Sequence, residues 1–115
     1  MFSPKELALA IASTLEAKNA DNIIVLEVSH LTSITDYFVI AGARNVNAVR
    51  ALSDDLEEKM GDRGIQPRRK EGQAESRWVV HDYSHVIVHL FHEQEREYYN
   101  IERLWMDGSN LVRQN

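Results

Sequence analysis

Residues Arg77 to Phe91 read RWVVHDYSHVIVHLF, and how this stretch pairs with itself decides the rest of the chain. Two runs of β-branched and aromatic residues, Arg77–His81 and His85–Phe91, flank a polar centre, the pattern of a β-hairpin. His81, His85 and His89 fall inside the runs and His92 follows them, so four of the chain's five histidines lie here. Two registers fit. A two-residue loop at Tyr83-Ser84 sets Asp82 opposite His85 and gathers Trp78, Val80, Asp82, Ile87, His89 and Phe91 on one face. A three-residue loop from Asp82 to Ser84 sets His81 opposite His85 and moves Trp78 to the apolar face of Val86, Val88 and Leu90. Neither loop holds the Gly or Asn that would select a turn type.

Outward from the hairpin, NIIVLEVS (22–29) and DYFVIAGA (36–43) are continuous apolar runs, as expected for central strands covered on both sides. Ser3, Pro4 and Glu6 form a helix start with a capping box, and Leu7, Ile11 and Leu15 with Ala8 and Ala12 carry the first helix to about Asn19. Val49, Leu52, Leu56 and Met60 mark a second amphipathic helix from Asn45, ended by Gly61 and Gly64. IQPRRKEGQAES (65–76) holds the breakers, a basic cluster at Arg68, Arg69 and Lys70, and a short edge strand around Gln66 to Lys70. A last helix places Tyr98, Ile101, Leu104 and Trp105 on one face, and residues 107–115 form a frayed tail. These readings give a single α/β domain over 1–106, ordered α-β-β-α-β-β-β-α, with a five-stranded mixed sheet and flanking helices.

Composition narrows the chemistry. Thirteen Lys and Arg against 18 Asp and Glu leave a net charge of −5, which disfavours direct nucleic-acid binding. No cysteine is present, so disulfides, thiolate nucleophiles and Cys-based zinc sites are excluded. Nothing resembles a signal peptide or a membrane span, and the expectation is a soluble, unprocessed, cytoplasmic protein. On one strand His85 and His89 would sit about 13 Å apart with parallel side chains, unable to share an ion. No metal and no cofactor is expected. Ser29, Ser33 and Ser84 sit in no nucleophile elbow, and the glycines form no phosphate-binding loop. Asp36, at the mouth of a strand after Thr32, Ser33 and Thr35, is the one acid worth weighing for metal-dependent catalysis, against a structural role as a loop cap.

DNIIVLEVSHLTSITDYFVIAGARN (21–45), Glu71-Gly72, WVVHDYSHVIVHLFHEQEREYY (78–99) and IERLW (101–105) together resemble the ribosomal silencing factor, or Iojap-related, family, from about residue 3 to 106. The resemblance implies an architecture similar to nucleotidyltransferases and a homodimer in isolation. It also implies binding to the large ribosomal subunit through its ribosomal protein fourteen, steric exclusion of the small subunit, and repression of translation when nutrients are short. It favours the two-residue hairpin loop, and it assigns the partner contact to Glu71, Gly72, Trp78, Val80, Asp82 and Tyr83, with His89 and Phe91 beside them. Contact with ribosomal RNA, through the basic cluster, is expected to be minor at most. The chain departs from the family at the turn. Asp82-Tyr83-Ser84-His85 stands where members commonly have D-x-G-D, losing a glycine that permits positive φ and a second acid. The Gly-Ser approach and spaced acid pair of an active nucleotidyltransferase are also absent, so no catalysis is expected; a divergent enzyme using Asp36 is the alternative.

Overall fold

The computed structural model describes residues 2–115. Helix α1 (Pro4–Ala17) begins on the capping box read from the sequence. The Ser3 N–H donates to Glu6 Oε1 at 2.8 Å and the Glu6 N–H to Ser3 Oγ at 3.2 Å. Strands β1 (Asp21–Glu27) and β2 (Tyr37–Ala43) pair antiparallel. Helix α2 (Val46–Asp62), capped by Asn45, buries Val49, Leu52, Leu56 and Met60. The chain continues through β3 (Arg69–Glu71), β4 (Trp78–Asp82) and β5 (Val86–His92) to α3 (Glu93–Tyr99), α4 (Ile101–Trp105) and β6 (Leu111–Gln114).

The sheet has six strands in the order β3-β4-β5-β2-β1-β6, with β2 and β5 parallel and the other pairs antiparallel. It is mixed, as expected, but one strand larger. The extra strand comes from residues expected to fray: β6 pairs with β1, setting Arg113 opposite Val25. Asn110 secures the approach by donating to the carbonyls of Glu27 and Trp105 at 3.0 and 2.8 Å. The last helix also differs. Asn100 adopts φ 45° and ψ 52°, so α3 ends there and α4 restarts in a new direction. Ile101 is consequently buried and Trp105 half-buried, while Tyr98 and Leu104 face solvent rather than sharing their face.

Helices α1 and α2 cover one sheet face, closing the main core over Ile23, Val25, Val39, Val79, Val88 and Leu90. On the other face a smaller cluster gathers Ile24, Leu26, Val28, Phe38, Ile40 and Phe91 beneath Ile101 and Trp105. That cover lies over the β1–β2 side and leaves part of β4 and β5 open.

The hairpin follows neither register read from the sequence. Trp78 lies opposite Phe91, Val80 opposite His89 and Asp82 opposite Ile87. The loop is two residues long, one position later than expected, at Ser84-His85, and Tyr83 N–H donates to the Val86 carbonyl at 2.9 Å. A slip of two residues preserves side-chain parity, so Trp78, Val80, Asp82, Ile87, His89 and Phe91 do share a face. The turn is tight because His85 N–H donates to the Tyr83 carbonyl at 3.0 Å, with Ser84 between them at φ 75°. A side chain in that region is strained by about 1–3 kcal/mol. Ser84→Gly therefore raises stability by about 1 kcal/mol after the entropic cost of glycine, an increase in Tm of about 3–5 °C by calorimetry.

Candidate functional site: an aromatic platform on the open sheet face

Trp78 stands at the centre of the half-covered face. Its indole stacks on Phe91 with centroids 4.8 Å apart and planes at 27°, and Tyr99 of α3 leans on it at 4.8 Å. The Trp78 Nε1–H donates to His89 Nδ1 at 3.1 Å. His89 in turn meets Phe38 edge-on at 5.0 Å, and Phe38 meets Trp105 at 5.1 Å. Each such aromatic pair adds about 0.5–1.5 kcal/mol beyond burial. The chain of rings from Tyr99 to Trp105 therefore braces the face, and Val80 and Ile87 lie half-exposed on it.

Accepting from Trp78 fixes neutral His89 with its proton on Nε2, and that nitrogen is buried without a partner. Burial accordingly lowers the His89 pKa to about 4. His81, one residue out of phase, points into the helix-covered core, where its Nε2 lies 2.7 Å from Ser53 Oγ of α2. Burial, helped by the nearby Lys70 charge, lowers its pKa to about 4 as well.

The residues expected to form the contact are sorted by this geometry. Glu71 is exposed at the end of β3, opposite Val80, and Trp78 and Val80 are half-exposed. Asp82 shares their face but is only 4% exposed, because its carboxylate is engaged within the chain. Oδ2 accepts from Arg68 Nε at 3.1 Å and Oδ1 from the Ser84 N–H at 2.8 Å. Tyr83 turns to the opposite face and is buried beside His81, and burial raises its pKa. Phe91 is fully buried behind Trp78. Gly72 belongs to the backbone of the site: at φ 86° its α-carbon approaches β4 so closely that a Cβ would lie 2.0 Å from the Trp78 carbonyl oxygen. Tyr99 was not anticipated; only its place in a Tyr-Tyr pair just before the helix-breaking Asn100 marks it in the sequence.

The other candidates are quiet. Arg68 pairs with Asp82, Lys70 Nζ lies 2.5 Å from Glu57 Oε1, and Arg69 Nε lies 3.8 Å from Glu71 Oε2, so each cation of the basic cluster has a carboxylate neighbour. Asp36 Oδ2 is 2.9 Å from His85 Nδ1 across the β2–β5 end of the sheet. Among the described residues no group of three or more His, Cys, Asp or Glu side chains gathers in a metal-binding geometry, and no helix is long and apolar enough to cross a membrane.

The fold of this small mixed-sheet α/β domain is also seen in solved structures. The crystal structure of a protein from Chromobacterium violaceum superposes with a TM-score of 0.87 at 29% identity, covering 97% of this chain and 95% of that one. The family model described as "Ribosomal silencing factor during starvation" matches residues 2–115. The ribosomal silencing factor RsfS of Bacillus subtilis is 35% identical over 107 residues, 93% of this chain and 91% of the relative. A mouse protein named for mitochondrial assembly of the ribosomal large subunit is 29% identical over 83% of this chain and 43% of its own length. The chain belongs to the ribosomal silencing factor family, a family of translation regulators associated with the ribosome rather than of enzymes.

Two outcomes follow for the site. Gly72→Ala lowers stability by about 3 kcal/mol or more and shifts the tryptophan fluorescence, since both φ and the close approach forbid the methyl group. For the two histidines the folded pKa lies below the unfolded value of 6.5, so the unfolded chain binds more protons between about pH 4 and 6.5. Their stabilisation is complete above pH 6.5 and is lost as the pH falls through that window, by up to about 1.4 kcal/mol per pH unit for each. Urea unfolding at a series of pH values shows this slope, and His81→Asn reduces it.

Proposed function

We propose that the open part of the second sheet face docks onto the large ribosomal subunit through its ribosomal protein fourteen, and that the bound protein sterically keeps the small subunit from joining. The result is repression of translation under nutrient limitation. The observation that carries this reading is the platform itself: Trp78 is locked by Phe91, Tyr99 and His89, while Val80 and Ile87 beside it remain half-exposed. A rigid aromatic surface loses little entropy on docking, which is what an interface centre needs.

Charge supports a protein partner. At a net −5, with its basic cluster already paired, the chain has little with which to grip RNA, so any contact with ribosomal RNA is minor. Glu71, Trp78, Val80 and Ile87 make the contact in this reading. Gly72, Asp82, Tyr83, His89 and Phe91 act beneath it, shaping the hairpin that presents them. A homodimer in the free state, a cytoplasmic location and an architectural kinship with nucleotidyltransferases belong to the same reading, without any nucleotide chemistry.

The test is co-sedimentation with isolated large and small ribosomal subunits through a sucrose gradient. Wild-type protein migrates with the large subunit alone, and Val80→Glu, a half-exposed position, loses that migration while remaining folded, with a small drop in Tm because the new carboxylate sits opposite Glu71. Trp78→Ala loses it too, with a drop in stability of about 2–3 kcal/mol because its stacking partners are left uncovered. Wild-type protein that stays at the top of the gradient, or Val80→Glu that binds as wild type does, overturns the reading.

A further inference from the structure

Beside the hairpin tip the connection between β1 and β2 carries a second apolar feature. Ile34 is 68% exposed and Leu31 44% exposed, and the segment between them, Leu31 to Thr35, contains no charged residue in a chain where 27% are charged. A single exposed aliphatic side chain is ordinary. These two differ because the backbone that presents them is fastened at both ends.

On the β1 side the N–H groups of Leu31 and Thr32 donate to the Val28 carbonyl at 2.9 and 3.1 Å, and the Ile34 N–H donates to Thr32 Oγ1 at 3.2 Å. His30 ties the same side to the α4–β6 connection, with Nε2 2.6 Å from Asp107 Oδ2. On the β2 side the N–H groups of Asp36 and Tyr37 both donate to the His85 carbonyl at 3.1 Å, and the Asp36 carboxylate holds the His85 ring. The loop is thus fastened to the hairpin tip of the platform. It runs into Tyr37 and Phe38, which lie opposite Val86 and Ile87 in the β2–β5 register.

We infer that Leu31 and Ile34 form a second contact of the docking surface, an apolar knob that seats against an apolar patch of the same protein partner that covers the platform. The inference rests on the docking reading above and extends it beyond the hairpin. Fixed backbone makes the contact preorganised, so little ordering cost opposes it. With no Lys or Arg the segment offers a phosphate backbone no charge-assisted contact, the main source of nucleic-acid affinity, which favours protein as the occupant.

The experiment is binding of the intact protein to isolated large subunits, with Ile34→Asp, Ile34→Lys and Ile34→Leu compared with wild type and with Val80→Glu. Ile34→Asp and Ile34→Lys each weaken binding about tenfold or more, Ile34→Leu stays within about twofold, and all three keep the wild-type Tm, since the side chain is mostly in solvent. Wild-type affinity in Ile34→Asp, alongside weakened Val80→Glu, overturns the second contact and leaves the platform standing. Tighter binding by Ile34→Lys would place a phosphate backbone against the loop and overturns it also. Absence of wild-type binding removes the docking reading itself, and this contact with it.

Discussion

One register, Val80 opposite His89, determines what each side chain of the β4–β5 hairpin does. It sends Val79, His81 and Tyr83 under the helices and leaves Trp78, Val80, Ile87 and His89 on the other side of the sheet. A slip of one residue would exchange the two sets, burying Trp78 under α2 and pushing His81 towards solvent. Contacts on both faces hold the register: Ser53 receives His81 on one, and Phe91 and His89 receive Trp78 on the other. At the tip the chain accepts a strained Ser84, and Asp82 steadies the turn by accepting its N–H.

The two faces of the sheet are finished differently. Two long helices close one side with small and branched residues, and most of the buried apolar side chains lie there. The other side has α4 over β1 and β2, and α3, a helix with no buried residue, held by Tyr99 on Trp78 and by Arg96 bonded to Glu102 and the Asp21 carbonyl. The rigidity of the open area thus comes from ring stacking rather than from a covering layer. Such a surface keeps its shape while remaining accessible, as the centre of an interface requires.

Much of this was legible in the sequence, and the parts that were not share a cause. The α1 capping box, the α2 apolar spacing and the continuous runs of β1 and β2 are local signals, and each element formed where its signal lay. Strand β6 has no strong local pattern; Leu111 to Gln114 becomes a strand because β1 offers an open edge and Asn110 holds the approach. The hairpin register escaped because a serine took the left-handed position where a glycine would have announced the turn. In the site, alternation along β4 placed Trp78 and Val80 correctly on one face. That Asp82 is consumed by Arg68 and Ser84, and that Tyr99 completes the stack, depends on contacts between elements that no spacing reveals.

Hydroxyl-radical footprinting read by mass spectrometry, on the free protein and on the protein bound to large ribosomal subunits, tests the central claim most directly. The account predicts that Trp78, Val80 and Ile87 lose reactivity in the bound state while exposed side chains of α1 and α2 keep theirs. Protection confined to the helical face, with Trp78 and Ile87 unchanged, would contradict it.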